Sequence, residues 1–199
     1  MIERWLAYPL TRGLDLDDPR TTQLRRQVLR DKPFLPRLYR EWYDAVARAV
    51  PSGVGAVLEL GSGAGFLDEW IPALITSGRF YCSGVRAVLG GQELPVADHA
   101  LRAVVMTDVL HHIPKVRRFL HEAARCVRPG GRVVMISPWV SPWSRVVCTR
   151  FHHEPFQPEA AEWEFPATGP LSGANGALPW IVFDRDRVGV RGGCAAVYL

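Results

Sequence analysis

The chain has 199 residues, 48% of them hydrophobic and 22% charged, and its 24 Lys and Arg against 20 Asp and Glu leave a formal charge of +4. That length suits one complete core, and the dispersed, Arg-dominated charge lacks the basic stripe of a nucleic-acid surface. No apolar run reaches membrane-spanning length, the first dozen residues lack the apolar stretch of a signal peptide, and Cys82, Cys126, Cys148 and Cys194 form no CxxC pair. The expectation is a cytoplasmic protein with buried thiols, without nucleic acid or membrane among its partners.

Residues 1–23 mix Trp5, Tyr8, Pro9 and several Asp, and read as a short arm or lid and a turn. Thr21 or Thr22 is expected to cap a helix ending near Leu29. Pro33 and Pro36 interrupt it, and Leu38, Trp42, Val46 and Val50 recur at one-turn spacing on a second helix, Pro36 to Ala49. Tyr39, Trp42 and Tyr43 read first as core packing and second as part of a ligand wall. Residues 1–50 thus form a helical arm or cap, 51–139 the core, and 140–199 loops and an edge of the same domain.

The core begins with an apolar strand, residues 56–60, that runs into Glu59-Leu60-Gly61-Ser62-Gly63-Ala64-Gly65. Glycines at alternate positions permit positive φ and let a ligand approach the backbone. A helix from Phe66 to about Ile75, a strand at 79–85, a strand from Leu101 to Val109, a helix from Pro114 through Val127, a turn at Arg128–Gly131 and a strand from Arg132 to Ser137 follow. Alternating strands and helices imply an α/β, doubly wound, mostly parallel Rossmann-like sheet. Ligands of such sheets collect at the carboxyl ends of the strands, so Glu59–Gly65, Gly84–Arg86, Asp108–His112 and Ser137–Trp139 should meet at one cleft. Beyond Trp139 the prolines allow only short helix. Ile181–Phe183 and Ala195–Leu199 are expected to pair as an antiparallel edge, shortened, and open to association with a second copy of the chain.

Four segments in order, Val57–Gly65, Leu94-Pro95-Val96-Ala97-Asp98, Val104–Ile113 and Leu120–Val134 with its Arg128-Pro129-Gly130-Gly131-Arg132 turn, resemble the class I S-adenosylmethionine-dependent methyltransferases of the type 11 group. The resemblance covers about residues 56–139. It implies S-adenosyl-L-methionine as cofactor and methyl transfer to a small-molecule acceptor. By the same resemblance Glu59, Gly61, Ser62, Gly63, Gly65, Asp108 and Leu110 bind the cofactor, with Arg86 at the position near the ribose.

The residues that follow the strand ends supply the chemistry. His111 and His112 are candidate general bases, with a helix-capping role as the alternative. Trp139, His152, His153 and Glu154 are candidate contacts for the acceptor. The run His152-His153-Glu154 is read as no metal site, because adjacent side chains diverge and no further ligand pair has suitable spacing. Arg86, Gly90-Gly91-Gln92-Glu93 and Arg102 stand where the family usually carries acids, so weakened cofactor binding is expected. Two alternatives remain: a fold retained for binding or subunit association without catalysis, and an NAD(P)-dependent oxidoreductase, whose ribose-binding acid would fall near Arg86.

Overall fold

Asp18 starts the first helix, α1 (Pro19–Asp31), by accepting a hydrogen bond from the Arg20 N–H at 2.8 Å. The cap expected at Thr21 or Thr22 is therefore three or four residues earlier. Pro19 explains the shift, since its fixed φ and missing N–H suit the first helical turn, and both threonines become buried helical residues. The computed structural model describes residues 18–152, 154–166, 169 and 173–187. The expected arm over residues 1–17, His153 and the expected strand at 195–199 lie outside the described residues.

The second helix, α2 (Phe34–Ala49), starts before Pro36, which its first turn tolerates. Five strands then form one sheet: β1 (Ala56–Leu60), β2 (Leu74–Gly78), β3 (Ala87–Val88), β4 (Leu101–Thr107) and β5 (Val127–Ile136). Their order is β3-β2-β1-β4-β5 and every pairing is parallel. The chain moves outward from β1 on one side and returns on the other, so the topological switch lies between β1 and β4. The crevice outside the carboxyl ends of these two strands is where a doubly wound sheet takes its ligand.

Both faces of the sheet are covered, which is why its strands read as nearly unbroken apolar runs. Leu58, Val104, Met106 and Val133 face one core with Phe119 of the helix α3 (Val116–Cys126) and Leu178 from the tail. Val57, Ala103, Val105 and Val134 face the other, against Tyr43 and Val46 of α2. Arg125 ties the loop before β4 to α3: its guanidinium donates to the Leu94 and Val96 carbonyls at 3.0 and 2.8 Å and to Asp98 and Glu122. Two of the sequence segments singled out above are thus one structural unit.

Between β1 and β2 the expected helix from Phe66 to Ile75 is replaced by a single 3-10 turn, Leu67–Glu69. Pro72 offers no N–H and drives the preceding residue out of the helical region. Ala73 then takes φ 61° and turns the chain directly into β2. The expected strand at 79–85 becomes the turn after β2. An aromatic cluster of Tyr39, Tyr43, Phe66 and Trp70 packs beside the glycine loop, with ring centroids 5.1–5.9 Å apart.

Two further differences lie toward the C-terminus. The Arg128–Gly131 turn falls inside β5 as an irregularity, with Leu101 opposite Val127 but Ala103 opposite Arg132. Gly130 takes φ 78° there, a conformation that favours glycine. Ile181–Phe183 is not a strand. The short helix α5 (Leu178–Trp180), which follows α4 (Pro142–Phe151) in chain order, runs into a π-helical turn, Ile181–Arg185. Ile181 and Val182 are fully buried, and a short apolar run buried all round does not declare its secondary structure by periodicity. The antiparallel edge expected from 181–183 does not form. Among the described residues no helix is long and apolar enough to cross a membrane.

Candidate functional site

The glycine loop leaves β1 through two left-handed residues, Gly61 at φ 66° and Gly63 at φ 50°. A Cβ on Gly61 would stand 2.5 Å from Val109 Cγ2, so the loop and the end of β4 touch closely. Ser62 staples the loop to β2: its N–H donates to the Ser77 carbonyl at 2.7 Å and its Oγ accepts from the Ser77 N–H at 3.0 Å. The Ser77 hydroxyl donates to the Glu59 carbonyl at 2.6 Å.

Two adjoining cavities, of about 290 and 260 Å³, share Arg25, Gly61, Gly63, Ala64 and Thr107 in their walls. Glu59, Ser62, Gly65 and Tyr43 line the smaller one; Asp108, His112, Arg79 and Phe80 line the larger. Glu59 is 3% exposed. Burial pushes its carboxyl up to about 7, against the hydrogen bond from Ser62 and the more distant Arg26 charge, which favour ionisation. Burial likewise raises Asp108, with His111 opposing and Glu154 adding to the rise.

Asp108 has φ 55°, unusual for a residue with a side chain, and this bend directs the chain into the 3-10 turn Leu110–His112. Leu110 goes into the core, fully buried. His111 and His112 stay together, ring centroids 4.2 Å apart, and both meet Glu154. Burial lowers His112, and the neighbouring His111 lowers it further, while Glu154 acts the other way. Burial alone would raise Glu154, but the close approach of His111 and the potentials of His112 and His152 bring it down to about 2.

The tail holds this turn in place. The Asn175 N–H donates to the His111 carbonyl at 2.9 Å, and Phe165 N–H donates to the Pro114 carbonyl at 3.2 Å. Asn175 Oδ1 accepts from the Gln157 and Ala177 N–H groups, at 2.9 and 3.1 Å, and its amide donates to the Gln157 carbonyl at 3.2 Å. His112 Nδ1 lies 3.2 Å from the Gly173 carbonyl.

Of the residues singled out by sequence, Glu59, Gly61, Ser62, Gly63, Gly65, Asp108 and His112 line the two cavities. His111 and Glu154 join them from behind His112. His152 ends α4, where its Nδ1 accepts from the Glu154 N–H at 3.2 Å. Trp139 packs against the core, its carbonyl accepting from the Ser144 hydroxyl. Arg86 lies beyond the turn after β2, its guanidinium 3.5 Å from the Leu74 carbonyl and outside both cavity walls. Glu93 pairs with Arg118. Sequence reasoning missed Thr107, Arg25, Arg79, Gly173 and Asn175. Only Thr107, next to Asp108 at a strand end, carried a sequence signal.

The family model of the type 11 methyltransferase domain matches residues 58–135. Over this segment the chain is similar to a methyltransferase domain. The segment spans β1, the glycine loop, Asp108 and most of β5, and leaves Glu154 and Asn175 outside. No curated protein matches the chain. Solved structures that resemble the domain include a candidate methyltransferase of Bacillus halodurans C-125, at 22% identity and TM-score 0.39 over 48% of this chain and 44% of that one. A candidate S-adenosyl-L-methionine-dependent methyltransferase of Methanococcus maripaludis matches at 14% identity and TM-score 0.49, over 63% and 66%. A complex between the Haloferax volcanii Trm112 methyltransferase activator and a candidate methyltransferase matches at 16% and 0.46, over 64% and 66%. The chain therefore spans less than two thirds of the length of each.

The cofactor that a methyltransferase domain implies is S-adenosyl-L-methionine. The residues present fit its amino-acid end: a loop of small residues lining the cavity and a buried carboxyl, Glu59, in the same wall. Thr107 Oγ1, in the wall of both cavities, is buried with no hydrogen-bond partner among the described residues, and so offers a further polar contact. At the end of β2 stand Arg79 and Phe80, neither of which accepts a hydrogen bond through its side chain.

Proposed function

We propose that this protein transfers a methyl group from S-adenosyl-L-methionine to a small-molecule acceptor. One observation carries the reading: Glu59, buried and facing the glycine loop, lies with Asp108 at the switch point of a methyltransferase sheet, beside a cavity. The cavity of about 290 Å³ is near the lower end of the roughly 300–1,000 Å³ of small-molecule pockets, and its wall joins the glycine loop and Asp108, on the cofactor side, to His112.

When bound, the cofactor supplies a methyl group made electrophilic by its sulfonium. The Ser62 and Gly65 N–H groups already donate to the Ser77 and Ser62 carbonyls, so the N–H groups of Gly63 and Ala64 between them would hold the carboxylate end, and the ionised Glu59 would attract the ammonium. Asp108 and Thr107 would border the middle of the site. His112, on the cavity wall, and His111 behind it would receive the acceptor, with Glu154 bracing both. Displacement at a methyl group needs alignment of acceptor and donor above all, and the tail clamp through Asn175 gives the acceptor side a fixed geometry.

Isothermal titration with S-adenosylhomocysteine at pH 8 tests the reading. Binding is expected, detectable up to millimolar dissociation constants at high protein concentration. Neither heat nor a thermal shift in demonstrably folded protein would overturn it, and would favour a fold kept for binding or association.

A further inference from the structure

Glu154 reaches the site from outside the methyltransferase domain, yet its two oxygens are divided between two imidazoles. Oε2 lies 3.3 Å from His111 Nε2 and Oε1 lies 3.6 Å from His112 Nε2. Ligand-capable atoms of all three residues fall within 4.8 Å of one another. Adjacent side chains ordinarily diverge, but the left-handed Asp108 and the 3-10 turn after it bring these two rings to the same carboxylate.

The separations bear on what the group is for. Both exceed the roughly 2.7–2.9 Å of a tight charge-assisted hydrogen bond. They approach the edge, about 3.3 Å, of a tetrahedron whose ligands stand about 2.0–2.1 Å from a central ion, the distance of zinc to nitrogen or carboxylate oxygen. The Gly173 carbonyl beside His112 Nδ1 favours the proton there, leaving the Nε2 lone pair facing Glu154. A carbonyl on the far nitrogen is the usual orienting partner of a metal-bound histidine. The Asn175 N–H holds the His111 backbone in place. His111 is 4% exposed and Glu154 20%, so the cluster is shielded but reachable past His112.

We propose that His111, His112 and Glu154 bind one divalent transition-metal ion of the zinc class, with the remaining position reached from the cavity. Two imidazoles and one carboxylate suit zinc, cobalt or iron, whereas magnesium and calcium prefer oxygen ligands. The ion would hold an oxygen or nitrogen of the acceptor, in place of a free pair of proton-accepting histidines. That role rests on the methyl-transfer reading; binding of the ion does not.

The test is titration of tag-free, metal-stripped protein with cobalt(II), followed by displacement with zinc. One ion per chain is expected, with the visible bands of tetrahedral nitrogen and oxygen coordination. Glu154→Gln, nearly the same shape, and His112→Ala should each weaken binding by roughly a hundredfold or more, while His121→Ala, on the exposed side of α3, should not. No retained ion at micromolar cobalt or zinc, undiminished binding in Glu154→Gln, or a near-ultraviolet thiolate band assigning the ion to a cysteine would each overturn the proposal. S-adenosylhomocysteine is titrated separately into the metal-free protein. Its binding without any metal binding would remove only the metal site; metal binding without it would remove only the methyl-transfer reading.

Discussion

Burial of Glu59 works against its ionised form, and this sets the sign of two measurable effects. The carboxyl ionises near 4.5 when unfolded and near about 7 when folded. The folded state therefore keeps the proton longer, and this contribution to stability is complete below pH 4.5 and is lost as pH rises through 7. Its size is on the order of 3 kcal/mol. Glu59→Gln stays neutral, so urea unfolding at pH 5 and pH 8 should find the variant gaining stability over the parent as pH rises. Cofactor affinity should move oppositely: loss of a charge-assisted hydrogen bond lowers S-adenosylhomocysteine binding at pH 8 by roughly ten- to a hundredfold. In the parent that affinity should rise between about pH 6 and pH 8 as Glu59 ionises. The glycines beside it separate strain from crowding. Gly61→Ala meets Val109 at 2.5 Å and a positive φ, which together cost about 2–4 kcal/mol. Gly63→Ala meets nothing nearer than 3.5 Å and costs only the backbone strain, about 1–2 kcal/mol. Denaturant midpoints for the pair check that order.

At the scale of elements, prolines decide more than propensities do. Pro72 stops the helix that the glycine loop would otherwise feed, so an anionic ligand meets loop N–H groups without a helix terminus behind them. Pro142 instead starts α4, because Ser141 caps it with the Ser144 N–H at 3.0 Å and the Ser144 hydroxyl returns to the Ser141 N–H at 2.7 Å. This box sets where α4 leads the chain on to Glu154. Ser141→Ala should cost about 1 kcal/mol, a fall of about 2–4 °C in Tm for a chain of this size. S-adenosylhomocysteine affinity should stay within twofold, since the capped turn lies outside both cavities. A metal titration of the same variant reports whether α4 orients Glu154.

Across the whole molecule, residues 155–166 and 173–187 pack back against the sheet and the turn that carries His111 and His112. Asn175, 5% exposed, is the knot of that contact. Asn175→Ala leaves the Gln157 and Ala177 amides and the Gln157 carbonyl without their side-chain partner. The expected loss is about 2–4 kcal/mol, read by thermal unfolding. Hydrogen exchange should quicken around His111 and Asn175 while the β1 and β4 amides stay protected. Asn175→Asp retains the acceptor oxygen and should lose less.

The parallel sheet, the order of its main segments and the glycine loop were legible in the sequence because each depends on local pattern. Apolar runs bounded by glycine and proline mark doubly covered strands, and alternate glycines mark a turn open to a ligand. Glu59, Asp108 and the two histidines were found by the same means, as residues at strand ends. The helix expected at 66–75 failed because a single proline outweighed a favourable composition. The strand expected at 181–183 failed because burial on every side removes periodicity. Glu154 had no pattern that paired it with His111 and His112, 43 and 42 residues earlier. Only the tertiary structure brings the carboxylate to both rings, because the bend at Asp108, the cap of α4 and the Asn175 clamp act together across segments distant in the chain.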